Sequence, residues 1–282
     1  MNIIRTKRLW LRNTLCMSDF REVQHGFEIL QKFFGDPQKK AVFKAALESC
    51  TPGVADEAIS LFDQWYTATR LLTFIASLSE HLAREDANGR LSMWRAFGNP
   101  AAPRVAIVIR IPQYSVVATT KLYLMFSPVA YLTEDETHDV INTVIKNITA
   151  NSGYLKSLDR DIVKTAVFNM LVAGVVCLKH EGFAEEREWR AIYSPARLPS
   201  SLIEESIESV AGVPQMVFKV PLDAAASADL AEIDLYSMLD RIIIGPSSYP
   251  DVMWSAFVKA LHDVGVSNPN LKVCASRIPL RT

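Results

Sequence analysis

The densest concentration of reactive side chains lies in KHEGFAEEREWRAIY, Lys179 to Tyr193, where His180, Glu185, Glu186, Glu188, Trp189 and Arg190 follow a long apolar run. Read as a strand from Glu186 to Tyr193, the alternation of side chains puts Glu186, Glu188 and Arg190 on one face and Arg187, Trp189 and Ala191 on the other. Two carboxylates and a guanidinium on a shared surface suit a general base or an electrostatic stabiliser of a developing cation. The arginine would then fix the carboxylate or grip a phosphate. The same pattern also describes a solvated charge ladder on a strand face, and both readings stand at this point. Trp189 reads as a core anchor.

Three further constellations are candidates. In FIASLSE, Ser77 and Ser79 share one face of a strand and can line a ligand cleft while holding a neighbouring carboxylate, or simply mark where the strand leaves the core. In SMWRAFG, Trp94 and Arg95 either clasp a nucleotide base and phosphate or plug a sheet edge. In CMSDFRE, Asp19 and Glu22 lie one turn apart at the start of a helix, where their charge suits the dipole. Together with Glu186 and Glu188 they would instead make four metal-ligating carboxylates, as in a metal-dependent nuclease or phosphotransferase. The sequence holds no Gly-rich phosphate loop, G-x-S-x-G elbow, H-E-x-x-H or cysteine cluster, and no metal is expected. His25, His81, His138 and His262 read as surface residues, and IIIGP (242–246) as a buried strand stopped by a turn.

The elements that must position these groups change character along the chain. Phe20, Val23, Phe27, Leu30 and Phe34 recur at helical spacing, and helical patterns continue over 39–50 and 56–70 around the Thr51-Pro52-Gly53 breaker. Strand-like segments follow at 72–79 and 105–111, and at 121–132 with a break near Ser127-Pro128. Thr133 to Glu136 fits a capping box opening a helix to about Ala150, and 159–179 predicts a long helix buried on nearly all sides. Further strands are expected at 186–193, 215–220, 241–245 and 272–276. A last helix starts at Ser248-Tyr249-Pro250-Asp251 and carries Met253, Phe257, Leu261 and Val264 on its apolar face. The expected fold is α+β, with a mixed, largely antiparallel sheet and helices clustered at the N-terminal end and on one face. It is read as a single domain over 1–282, helical over 14–70 and sheet-containing over 71–282.

Composition narrows the class. The chain has 282 residues, 49% of them hydrophobic and 22% charged, which is the balance of an ordinary globular protein. Thirty basic against thirty-one acidic side chains leave no global field for a polyanion, so an extended nucleic-acid patch is not expected. Cys16, Cys50, Cys177 and Cys274 have no paired spacing, which argues against a zinc site or disulfide framework and for a reducing compartment. The first residues lack an apolar signal core, and the longest apolar stretch, Ala166 to Leu178, is shorter than a bilayer span and interrupted by Asn169. A cytoplasmic location with no membrane contact is the expectation.

Taken in order, RLWLRNTLCMSDFRE, FIASLSE, SMWRAFG, KHEGFAEEREWR, IIIGP and VCASRIPLR resemble a bacterial domain-of-unknown-function family, number 2971, over nearly the whole chain. In that family's N-terminal Asn-Asp-Pro-x-Glu pattern, Asp19 and Glu22 match the two acids. The layout is also similar to ADP-ribosyltransferases. That similarity implies NAD as substrate, Ser77 and Ser79 as the strand serines, and Glu188, with Glu186 two before it, as the glutamate that stabilises an oxocarbenium-like transition state. Trp94, Arg95 and Arg190 would join the serines in binding the dinucleotide. No residue is assigned to the first NAD-contacting position, for which Arg5 or Arg8 are the available substitutes. The resemblance implies an effector of a toxin or phage-defence system. The alternatives are a non-catalytic partner-binding or regulatory protein, with a filled cleft and an exposed apolar patch elsewhere, and the metal-dependent enzyme above.

Overall fold

In a computed structural model, residues 1–16, 22–69, 72–97, 102–112 and 120–279 are described. The N-terminal part runs α1 (Asn2–Thr6), β1 (Arg8–Asn13), α2 (Glu22–Gly35), α3 (Pro37–Glu48), α4 (Val54–Gln64) and β2 (Phe74–Ser79). The middle holds α5 (Leu91–Ala96), β3 (Val105–Ile109), β4 (Met125–Pro128), β5 (Ala130–Tyr131), α6 (Glu134–Ala150), α7 (Ser152–Ser157), α8 (Arg160–Val176), β6 (Leu178–Lys179) and β7 (Glu188–Tyr193). The chain ends with β8 (Glu204–Val210), β9 (Val213–Pro221), α9 (Leu235–Met238), β10 (Leu239–Ile244), α10 (Pro250–Asp263) and β11 (Val273–Ala275). This is an α+β protein with largely antiparallel strand pairing.

Local signals explain the helix starts. Asp36 accepts from the backbone of Gln38 and Lys39 and is followed by Pro37 at the first helical position of α3. Thr133 and Glu136 form the reciprocal capping box of α6, and Asp159 caps α8. Tyr249, not a capping side chain, precedes α10, whose start rests on Pro250. After α4 the helix widens into one π-turn, Trp65–Thr69.

Packing divides the chain into two compact units, each built from separated segments: 1–11, 78–124 and 200–282 in the first, 12–77 and 125–199 in the second. In the second unit α8 is the spine. Its Val163, Val167, Phe168, Leu171, Val172, Val175 and Val176 are buried among Leu30 and Phe33 of α2, Phe43 and Leu47 of α3, and Val54 and Phe62 of α4. Gly26 lets α2 approach α8 closely: a methyl there would lie 2.9 Å from the Gly174 carbonyl and collide with that of Val175. The strands of this unit are ordered β4-β7-β2-β1, through Arg12 and Asn13 of β1 and residues 74–77 of β2.

In the first unit β10 pairs with β3 antiparallel and with β11 parallel, and Ile242 and Ile244 are buried with Phe257 and Leu261 of α10. β1, β9 and β8 are neighbours in that order. The β8–β9 hairpin turns at Ala211 and Gly212, both with positive φ (52° and 82°), the signature of a two-residue type I′ turn. Here α1 is tied down at Ile4, 1% exposed, and at Lys7, whose ammonium lies 3.0 Å from Asp223 and 2.8 Å from Asp234 and sits over the Tyr236 ring. The four cysteines are free thiols. Among the described residues no helix is long and apolar enough to cross a membrane.

Candidate functional site

A buried charge cluster in the second unit gathers the end of α8, the two-residue strand β6 and the start of β7. The strand β7 begins at Glu188, not Glu186, because residues Glu181–Glu186 form a 3-10 turn and Arg187 takes a left-handed conformation (φ 44°). Glu188 and Arg190 therefore share a face as the alternation predicts, whereas Glu186 arrives from the turn. Arg190, 1% exposed, grips both oxygens of Glu188: Nε donates to Oε1 at 2.8 Å and Nη2 to Oε2 at 3.1 Å. Its Nη1 donates to the carbonyl of Val176, the last residue of α8, which has no partner within the helix.

Two further donors join the cluster. The Ser77 hydroxyl, at an exposed position of β2, donates to Glu188 Oε1. Lys179, buried on β6, lies 2.6 Å from Glu186 and 3.3 Å from Glu188 Oε2, with its ammonium also over the Phe183 ring. The Glu188 backbone N–H donates to the Tyr131 hydroxyl at 2.8 Å, and β5 is placed for this by its parallel pairing with β6. Among the described residues these contacts set two cations against two carboxylates, which is what makes their burial tolerable.

Burial by itself would raise the Glu188 carboxyl. The hydrogen bonds and charge of Arg190, then the Ser77 hydroxyl and the Lys179 ammonium, outweigh it and hold the group below its usual range. A carboxyl depressed in the folded state contributes stability that is present above its unfolded value and lost as pH falls through the folded one. Acid titration of unfolding free energy should therefore show a loss below about pH 4. In E188Q this part of the acid dependence should disappear, and an unchanged profile would exclude Glu188 as its source. Beside the cluster, burial pushes the Cys177 thiol up to about 11 against the opposing charge of Arg190, so it stays protonated at neutral pH and is no nucleophile.

The other expected site residues are distributed differently. Ser79 belongs to the first unit, where its hydroxyl accepts from Arg90 at 3.3 Å. Trp94 is buried, its indole N–H donates to the Asn88 carbonyl at 2.8 Å, and its ring fills the space that side chains at Gly89 and Gly245 would need. It is a packing plug in place of a base clasp. Arg95 is exposed on α5. Of the two roles read for Arg190, fixing the carboxylate or gripping a phosphate, its contacts are those of the first: it holds Glu188 and the α8 terminus. Trp189 is half-buried, not a core anchor: its neighbour on the short strand β4 is the exposed Phe126, on which it stacks at 5.2 Å.

Asp19 and the side chain of Glu22 lie outside the described residues. Among the described residues no group of three or more His, Cys, Asp or Glu is close enough to hold a metal ion. Sequence reasoning missed Lys179 and Tyr131. The available signal for Lys179 was a lysine directly after an apolar run and seven residues before Glu186.

The fold and site thus define an α+β protein with a largely buried Glu–Arg–Lys cluster that an exposed strand serine, Ser77, joins. Residues 93–191 match the model of a family described as a protein of unknown function (DUF2971). The match takes in Lys179, Glu186, Glu188 and Arg190 and leaves Ser77 outside it. No curated protein and no solved structure matches the chain.

Proposed function

We propose that this chain is an NAD-handling enzyme of the ADP-ribosyltransferase kind, serving as an effector in a toxin or phage-defence system, with Glu188 as the charge that stabilises the reacting ribose. The observation that supports this reading most directly is the hydrogen bond from Ser77 to the Glu188 carboxylate. Cleavage of the bond between nicotinamide and ribose moves an electron pair onto the leaving nicotinamide and builds positive charge at the ribose carbon. A fixed carboxylate stabilises that charge only if it is ionised and held in place. Glu188 meets both conditions, ionised by Arg190 and aimed by Ser77. Glu186 has a supporting part, since it holds Lys179 closer to itself than to Glu188 and so leaves more of the Glu188 charge uncompensated.

A second reading, a non-catalytic partner-binding or regulatory protein, is favoured by a different observation. Glu188 is 6% exposed and its two oxygens already accept from four donors, about the full acceptor capacity of a carboxylate. Exposed Ile207 and Met216, paired across β8 and β9, supply an apolar patch in the first unit.

Thermal-shift titration with NAD, ADP-ribose, ATP and magnesium separates the two, because a ligand selective for the folded state raises the melting temperature by mass action. The enzyme reading expects a dose-dependent rise with NAD and ADP-ribose. Silence toward both overturns it and leaves the partner-binding reading.

A further inference from the structure

In the second unit the turn after β7 places a second cation, Arg197, in a setting unlike that of Arg190. Its guanidinium stacks on the buried Phe168 ring of α8, with its central carbon 3.8 Å from the ring centroid. Its Nη1 donates to Asn169 Oδ1 at 3.2 Å. Asn169 is the polar interruption of the apolar run 166–178, and this contact accounts for it.

The turn itself is pinned. The Ser194 carbonyl accepts from the backbone N–H groups of Arg197 (3.0 Å) and Leu198 (3.2 Å), and the Ser194 hydroxyl lies 3.4 Å from that of the buried Thr73. Arg197 is half-buried, and among the described residues it has no carboxylate partner. Consistent with this, burial lowers its pKa with no neighbouring acid to oppose the shift. A partly desolvated guanidinium held in one orientation, with N–H donors that solvent can reach and no carboxylate beside them, suits an oxyanion. Stacking and the amide contact have already removed its side-chain freedom, which lowers the entropic cost of binding.

We propose that Arg197, oriented by Phe168 and Asn169, is the anchor of an oxyanion site that takes a phosphate group, separate from the Glu188 cluster and independent of its chemistry. The planar fork of arginine matches two phosphate oxygens at once, which a lysine ammonium cannot do.

The test is calorimetric titration of the full chain with inorganic phosphate and, separately, with acetate at matched ionic strength. Wild type, R197Q, R197K and N169L would be compared after circular dichroism confirms each fold. Leucine at 169 suits the apolar helix and keeps the fold while removing the amide that orients the guanidinium. The expected result is phosphate binding by wild type, loss in R197Q, and weakening of about tenfold in R197K and N169L, a factor equal to about 1.4 kcal/mol. Absence of phosphate binding in wild type, equal binding in R197Q, or acetate binding as tightly as phosphate would each overturn the assignment.

Discussion

Replacing Arg190 with methionine is expected to destabilise the fold by about 3–5 kcal/mol, the usual cost of leaving one member of a buried ion pair without its partner. Arg190 is buried to 1% exposure, donates twice to Glu188 and terminates α8 through Val176. In its absence, among the described residues, Glu188 keeps Ser77 and the longer Lys179 contact at 3.3 Å, while Lys179 remains committed to Glu186 at 2.6 Å. The double variant E188L/R190M removes one charge of each sign and leaves Lys179 and Glu186 to balance each other. It should recover a large part of the loss. Urea unfolding of both single variants and the double variant measures this coupling directly. Additive losses would mean that the cluster is held by packing and not by charge pairing.

The second large effect concerns turnover. If Glu188 stabilises the reacting ribose, Glu188→Gln should lower NAD consumption on the order of 10²–10³-fold, with NAD affinity nearly unchanged, because the lost interaction belongs to the transition state. Glutamine keeps an acceptor for Arg190 but not its charge, so the melting temperature should fall below that of wild type, and a circular dichroism spectrum and NAD affinity like those of wild type at the assay temperature separate lost chemistry from lost fold. Glu186→Gln should give a smaller loss through another route: Lys179, freed from its shorter contact, closes on Glu188 and cancels its charge. Full activity in E188Q would remove Glu188 from the mechanism.

These residues also mark what could be read from the sequence. The shared face of Glu188 and Arg190 follows from strand alternation, and the buried face of α8, the capping box of α6 and the proline start of α10 all follow from local pattern. The contact from Ser77 to Glu188 joins residues 111 apart, and it was anticipated only through a family resemblance. Lys179 was hidden for a physical reason. Burial of a lysine depends on two carboxylates brought by a turn and a strand, and the apolar run before it hints at burial without showing which acids would meet it. The strand β8 was missed because EESIESV carries little of the apolar alternation that marks strands. Its evidence is the turn at Ala211 and Gly212, a conformation that few residue pairs adopt. Trp94 shows the converse: the same residue types serve a clasp or a plug, and only the glycines around it decide.

The tie between Lys7 and its two aspartates has a consequence for the order in which the protein can be made. The partners of Lys7 follow it by 216 and 227 residues, so during synthesis the segment around Lys7 must wait for both stretches to be made. At ribosomal rates of about 5–20 residues per second that interval is roughly 10–45 s, with Ile4 and its neighbours still unpacked. The second unit, by contrast, has all its segments once residue 199 has emerged. Residues 1–11 are therefore open to chaperones and proteases for longer than any segment of the second unit, and the contacts that hold them close after that unit can already be packed.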